Sequence, residues 1–425
     1  MRSHRATHNL VAVSANAREA AINTPQALDT SMLVDLTDVA NLVPRRESNS
    51  GELTGKEEAD TIYDLGRTSE ATLNFSKAQP QHFAFLLAYG LGLVATTPAG
   101  SGYLHTIRPM DGDLDLERSN PSFTLAQRLG KTVAKRRFAS MFVDQVTATF
   151  AADEWVKISG VLKGTGRSDG SISEETIQAA ANAASLNLAA SGVAGVTAQE
   201  RLDNVQRIRA ELTPGVWTEV ACSAVSADTP ASISIAPPGA TADLIAYKVL
   251  HAPTEAAWMA FPPRVVESPM RLAQMTLVLG GSWDGEAFSG GREVKADFKS
   301  LEWSLSNNLQ VEFLPGAGGA YASRGFRDGR VQTVALNREL REFILQQAVE
   351  AGEYLGLRLL VQGAEFEPGQ AYSVEIVWPK LGVLKAPLSV DGKRLAEAGD
   401  LSVLEHDVHG SVIVKVKNLV AAYAA

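Results

Sequence analysis

Two neighbouring runs restrict the fold of this chain more than any other feature. In residues 142–150, Phe142, Val146, Ala148 and Phe150 share one parity, while Gln145, Thr147 and Thr149 take the other. In residues 155–164, Val156, Ile158 and Leu162 alternate with Lys157, Ser159 and Lys163. Successive side chains of a strand point to opposite faces of a sheet, so each run has one apolar and one polar face. Only the short polar stretch 151–154 separates them. The pattern predicts an antiparallel hairpin with one face buried.

The same period returns late in the chain. Met275, Leu277 and Leu279 alternate. Val294, Ala296 and Phe298 hold one parity, and Leu301, Trp303 and Leu305 hold the other. That phase slip predicts a β-bulge or bend. Leu309, Val311 and Phe313 are read as completing a second hairpin, 293–314. Further strands are expected at 66–75, 103–109, 123–128, 331–336, 372–378 and 412–416. Pro80 opens a helix over 81–91, with Phe83, Leu86, Leu87 and Leu91 at helical spacing and Gly90 and Gly92 to stop it. A second helix is expected over 339–355, with Asn337 as its N-cap.

Residues 1–60 are polar and read as an N-terminal arm and loop, with one short strand near 32–36. Residues 165–262 read as an insertion, helix-rich and then β. Within it, 171–191 is Ala-rich and helix-prone. Thr197 and Glu200 fit a capping box, with Leu202, Val205 and Ile208 following at helical spacing. Strands are expected at 217–225, 231–235 and 244–250, and Pro262-Pro263 closes the segment. The fold expected is mainly β with flanking helices: a β-sandwich of tube type in two lobes, 61–164 and 263–425, plus an inserted α/β segment. A strand–helix–strand unit (66–109) and a hairpin (138–164) in the first half face a hairpin (293–314) and a strand–helix–strand unit (331–378) in the second. Element type recurs, which suggests duplication.

Composition narrows function. The 425 residues suffice for roughly two to four domains. The net charge of −9 excludes a global electrostatic grip on nucleic acid. No run approaches the ~20 apolar residues that span a bilayer, so no membrane association is expected. The stretch 10–13 is too short for a signal-peptide core. A single cysteine, Cys222, excludes an internal disulfide and a multi-Cys metal site, and fits a reducing cytoplasm. It is read as a buried small hydrophobe.

No motif yields a catalytic, cofactor-binding or metal-ligating residue. Gly166-Arg167-Ser168-Asp169-Gly170 matches G-x-S-x-G, and His251, His406 or His409 could complete a triad. The strand before it ends in polar Lys163-Gly164-Thr165, and the βαβ alternation of that hydrolase fold is missing. A polar turn is the better reading. His406-Asp407-Val408-His409 could suggest a metal, yet residues three apart on a strand face opposite ways. Gly130-Lys131-Thr132 lacks the first glycine of a phosphate loop, since residue 125 is Leu125. Gly316, Gly318 and Gly319 make no dinucleotide fingerprint. Asp111, Asp113, Asp115 and Glu117 form an acidic loop without EF-hand spacing. Lys131, Lys135, Arg136 and Arg137 form a basic cluster, read as a solvated strand end or as a charged contact for that acidic loop in another subunit. Trp155, Trp303 and Trp378 are read as packing residues.

The order strand, Pro80-opened helix with Phe83-Ala84-Phe85-Leu86-Leu87-Ala88-Tyr89-Gly90-Leu91-Gly92, strand, then hairpin resembles the major tail tube proteins of long-tailed bacteriophages. The stretch Glu57-Glu58-Ala59-Asp60-Thr61-Ile62-Tyr63 is similar to that family as well. The likeness covers 66–164 best and 264–425 more loosely. It implies a non-enzymatic virion protein that pairs strands edge to edge in rings. The rings stack into a hollow tube with an acidic lumen, through which DNA passes without sequence-specific binding. It implies self-assembly, with three two-domain subunits per ring if the duplication holds. It further implies other tail proteins as partners (terminator, tape measure and tail tip) and no cofactor. The alternatives are a carbohydrate- or receptor-binding β-sandwich module and a serine hydrolase using Ser168.

Overall fold

The computed structural model describes residues 6–36, 39–111, 119–130, 134–238, 244–254, 259–295, 297–315 and 320–425. The protein is mainly β, with 56% of residues in strands and 9% in helices, as the alternation predicts. It divides into two compact units. One comprises Val13–Leu125, Phe138–Arg167 and Pro263–Ala425; the other comprises Met1–Ala12, Ala126–Arg137 and Ser168–Pro262.

The larger unit is organised around one helix, Pro80–Leu91, in which all twelve residues are buried. The sequence permits this because the segment holds no Asp, Glu, Lys or Arg, and a helix apolar all round belongs inside a core. Pro80 occupies the first turn, where its missing N–H costs nothing. Gly92 ends the helix at φ 97°, a left-handed conformation suited to glycine, and its N–H donates to the Ala88 carbonyl. Phe85, Tyr89 and Phe123 form an aromatic cluster with centroids 4.9 to 5.4 Å apart. Gly160 admits Leu86: a Cβ there would lie 2.6 Å from Leu86 Cδ2.

Antiparallel strands surround this helix. Ile62–Phe75 pairs with Lys157–Gly164, which pairs with Ala134–Ala151. That strand pairs in turn with Phe298–Ser306, with Phe150 opposite Leu301. The ladder continues through Val331–Glu339, Arg394–Val403 and Gln370–Lys385. It returns through Ile413–Asn418 to Gly102–Pro109. The two predicted lobes thus share strands within one compact unit. Among the described residues the two α-helices of this unit differ: in Ile344–Ala351 only Leu345 and Ala348 are buried. The predicted hairpin around residue 150 is present, and the phase slip near Phe298 is a register shift between Phe298 and Ser300; Ala296 lies outside the described residues.

A buried charge fixes the second half. The Arg338 guanidinium has no exposure, lies 2.9 Å from Glu397 and 3.8 Å from Asp297, and donates to the Glu342 carbonyl. Removing one partner of such a group costs about 3–5 kcal/mol. This anchor also corrects an expectation. The helix predicted over 339–355 begins at Ile344, because Val331–Glu339 stays in the sheet to keep Arg338 in place. Asn337 is therefore a strand residue opposite Ser300 and Ala398, not an N-cap.

Other corrections have similar causes. The second hairpin, 293–314, does not form. Asn307 donates to the Gly90 and Val143 carbonyls, turning the chain, and Leu309–Glu312 pairs with Arg324–Arg327 in a separate sheet. The early strand is Thr30–Met32, and Leu10–Val13 and Asn41–Ser48 form further strands within what reads as an arm, the first of them with Val11, Ala12 and Val13 buried. The strand Gly92–Ala99 has no counterpart in the prediction.

The smaller unit is a two-layer sandwich. One sheet runs Ser173–Ala180, Leu244–His251, Val205–Thr213, Val216–Glu219; the other runs Ser185–Asn187, Ser232–Ile235, Cys222–Val225. Leu186, Ile208, Ile233, Ile245, Tyr247 and Val249 fill the space between them. The helix predicted over 171–191 is wrong: Ser173–Ala180 is a strand in full register with Leu244–His251. Alanine propensity is a weak preference, overridden here by sheet pairing and the partial burial of alternate residues. The capping box at Thr197 and Glu200 is formed, but the helix ends at Asn204, and Val205 and Ile208 belong to a strand. The strand predicted over 217–225 is two strands in different sheets. Cys222 is half-buried, and burial pushes its thiol pKa up.

At the start of the central helix, polar groups replace apolar packing. The Gln81 N–H donates to Glu267 Oε2 at 2.7 Å, the Gln81 side chain donates to Gln79 Oε1 and the Val265 carbonyl, and the Glu267 N–H donates to Gln79 Oε1. His82 stacks on Phe75 at 3.9 Å and its Nδ1 accepts the Gln79 N–H. Burial raises the Glu267 pKa from 4.5 to about 7 and lowers that of His82 from 6.5 to about 3. Between pH 4.5 and 6.5 the folded chain keeps a proton on Glu267 that the unfolded chain releases, so this group loses stability as pH rises. Over that window folded His82 refuses a proton that the unfolded chain binds, so that group gains stability as pH rises. The two slopes oppose. Glu267→Gln removes the first, so its stability relative to wild type should climb by about 1.4 kcal/mol per pH unit from 4.5 to 7. Urea unfolding of both proteins across that range checks this, and parallel curves would contradict it.

Candidate assembly surface

The sequence candidates for chemistry are not brought together. Ser168 lies on a three-residue strand, Ser168–Gly170, rather than on a strand-to-helix elbow. Asp169 is held by Arg137, whose Nε and Nη2 lie 3.1 and 2.6 Å from its carboxylate. His251 is buried with Nε2 3.3 Å from Glu175, a carboxylate that also accepts the Ser191 hydroxyl and the Ala189 N–H. Among the described residues no hydrogen bond joins Ser168 to His251.

His406 and His409 sit on a tight turn closed by paired His406 and Gly410 backbone hydrogen bonds, their rings stacked at 4.8 Å. His406 Nδ1 accepts the Val408 N–H. Among the described residues no group of three or more His, Cys, Asp and Glu side chains could hold a metal ion. The turn borders a cleft of about 550 Å³ that also holds Arg108, Arg330, Asp111, Glu405 and Asp407. Burial, with the neighbouring Arg327 charge, lowers the Arg330 pKa to about 10. Three acids against two arginines leave the cleft no strong field of either sign.

The basic cluster is partly consumed internally: Lys135 Nζ donates to the Met259 carbonyl, and Arg137 is bound to Asp169. Lys131, Asp113, Asp115, Glu117, Gly316, Gly318 and Gly319 lie outside the described residues. Trp303 and Trp378 are buried in edge-to-face contact at 5.6 Å. The Arg271 guanidinium lies over Trp155 at 4.7 Å.

What the structure does present is a projecting ribbon. Asn41–Ser48 pairs with the start of Ile62–Phe75, from Asn41 opposite Glu70 to Ser48 opposite Ile62. Lys157–Gly164 supports the latter strand only from Ser69 onward. The last backbone hydrogen bond to the body is the Arg67 N–H to the Ala320 carbonyl, 3.0 Å, and just beyond it the Arg45 guanidinium lies over the Phe313 ring at 4.7 Å. Beyond it, every side chain of residues 44–48 and 62–65 is exposed. Five residues of strand reach about 17 Å, and the loop 49–61 extends the ribbon.

The loop is organised. Asn49 is buried, accepts the Asp60 and Thr61 N–H groups and donates to the Asp60 carboxylate. Lys56 lies 2.5 Å from Asp60, and this contact, with Asn49, holds the Asp60 carboxyl below the usual range. The Tyr63 hydroxyl donates to Glu52 at 2.7 Å. Apolar side chains nevertheless face solvent: Leu53 is 106% exposed, Ile62 67% and Leu65 53%. An isolated two-stranded ribbon is marginal in water, and clustered exposed apolar groups mark interaction surfaces. The sequence marked an arm in this region but not its limits. The signal was apolar Ile62, Tyr63 and Leu65 standing among charged neighbours.

Because Leu53 and Leu65 are so exposed, replacing both with Ser should change the stability of the unassembled chain by less than about 0.5 kcal/mol. Urea unfolding checks this; a loss above about 1 kcal/mol would show that the ribbon packs on its own chain. Comparison with models of known protein families and with curated proteins finds no match for this chain.

Proposed function

We propose that this chain is a structural subunit of a phage-type tail tube, assembling with copies of itself into rings that stack around a hollow channel. The observation that carries this reading is the ribbon. It is ordered by its own hydrogen bonds, yet it exposes apolar side chains that only another molecule can cover. A sheet-rich body with such an extension suits head-to-tail association, which closes into rings or propagates as a stack. A net charge of −9 suits a lumen that DNA passes without being held. In this reading the subunit is not an enzyme and binds no cofactor. Its partners are itself, the tail terminator, the tape measure and the tail tip, and its place is the virion tail, assembled in the bacterial cytoplasm.

The test is light scattering coupled to size-exclusion chromatography, with negative-stain microscopy of the same fractions. Trimers, hexamers, rings or tubes with a central channel are expected. A chain that stays a 45.2 kDa monomer at high concentration, and also in the presence of a tail-tip initiator, would contradict the proposal.

A further inference from the structure

We infer that the ribbon of one copy docks on the hairpin spanning residues 384–395 of a second copy; this rests on the assembly reading above. In that hairpin, Leu388–Asp391 pairs with the start of Arg394–Val403, from Leu388 opposite Glu397 to Asp391 opposite Arg394. Val390 and Leu395 are direct cross-strand neighbours and are 71% and 52% exposed. Leu388, two residues before Val390 on the same strand, is 46% exposed, and Leu384, just before the hairpin, is 67% exposed.

Charge selects between the possible occupants. Residues 44–66 carry Glu47, Glu52, Glu57, Glu58, Asp60 and Asp64 against Arg45, Arg46 and Lys56, a balance of six acids to three bases, or −3. Residues 384–395 carry Lys385, Lys393 and Arg394 against Asp391, three bases to one acid, or +2. Both surfaces are apolar and ribbon-like, and they are opposite in sign. Lys56, Asp64, Lys385, Asp391 and Arg394 have ion-pair partners within the chain. Glu57, Glu58 and Lys393 form no ion pair among the described residues, and all three are exposed. Their charges are therefore available to a second molecule. Such a match steers encounter and fixes register.

Residues 44–66 number 23 and residues 384–395 number 12; one side of a stable protein interface takes about 20–30 residues, so the ribbon is long enough for its side and the hairpin forms part of the other. The two surfaces are different parts of the chain, so the contact is heterologous. A docked pair keeps one free ribbon and one free hairpin, which lets assembly continue.

The test uses the full chain in two charge-reversed forms, Glu57→Lys/Glu58→Lys and Lys393→Glu. The altered side chains are exposed, and far-UV circular dichroism and melting confirm folding. Glu57→Gln/Glu58→Gln is the milder substitute if the first reversal fails to fold. Each form alone should need a roughly tenfold higher concentration to assemble, read by light scattering at low salt. An equimolar mixture of the two should recover assembly, because each reversed ribbon meets a reversed hairpin and each native ribbon a native one. If wild type assembles and both reversed forms assemble equally well, this docking is wrong while the tube reading stands. If both lose assembly and mixing restores nothing, the two surfaces do not meet, and the docking is again overturned. If wild type does not assemble at high concentration even in the presence of a tail-tip initiator, both ideas fall.

Discussion

Burial of the helix Pro80–Leu91 is the constraint on which the larger unit depends. A twelve-residue helix with no charged side chain and no exposed face must be enclosed on every side. Strands drawn from both ends of the sequence meet that demand, including Gly102–Pro109 and Ile413–Asn418, which pair with each other across three hundred residues of chain. Details elsewhere serve the same enclosure. Gly160 makes room for Leu86, Asn307 seals the helix end at Gly90, and Glu267 and Gln79 satisfy its start.

The cost of that arrangement is polar burial. Glu267, its pKa raised by burial to about 7, and a neutral His82 sit in the core, and Arg338 sits there with Glu397 and Asp297. A buried ion pair is weak evidence of stability but leaves a heavy penalty when one member is lost. These groups fix which strand lies where, as the displaced start of the helix Ile344–Ala351 illustrates. Against this enclosed body, the ribbon at residues 44–66 is the opposite case. Its backbone is ordered locally while its side chains are left to solvent. That contrast between a satisfied core and an unsatisfied extension is the physical basis for reading the chain as one part of a larger assembly.

Local patterns in the sequence carried the β character, the central helix and the hairpin around residue 150, because each is set by periodicity within a dozen residues. The Thr197 capping box was legible for the same reason. Long-range partners were not. The strand Ser173–Ala180 looks helical until Leu244–His251 is known to lie beside it. Residues 309–312 look like the second arm of a hairpin until the Asn307 side chain is seen to turn the chain elsewhere. The two-layer sandwich within 165–262 could not be read from propensity, since its strands are short and its alanines favour a helix only in the absence of a sheet. The candidate surface was half legible: the polarity of 49–61 marked an extension, while its exposed leucines became meaningful only once the body beneath was known to end at Arg67.

Hydrogen exchange, measured by mass spectrometry on dilute and on concentrated protein, tests the central claim most directly. The account predicts that residues 80–91 are protected under both conditions, while residues 44–66 exchange quickly in the free chain and become protected on assembly. Protection of the ribbon in the dilute monomer, or fast exchange of the ribbon within assembled particles, would contradict it.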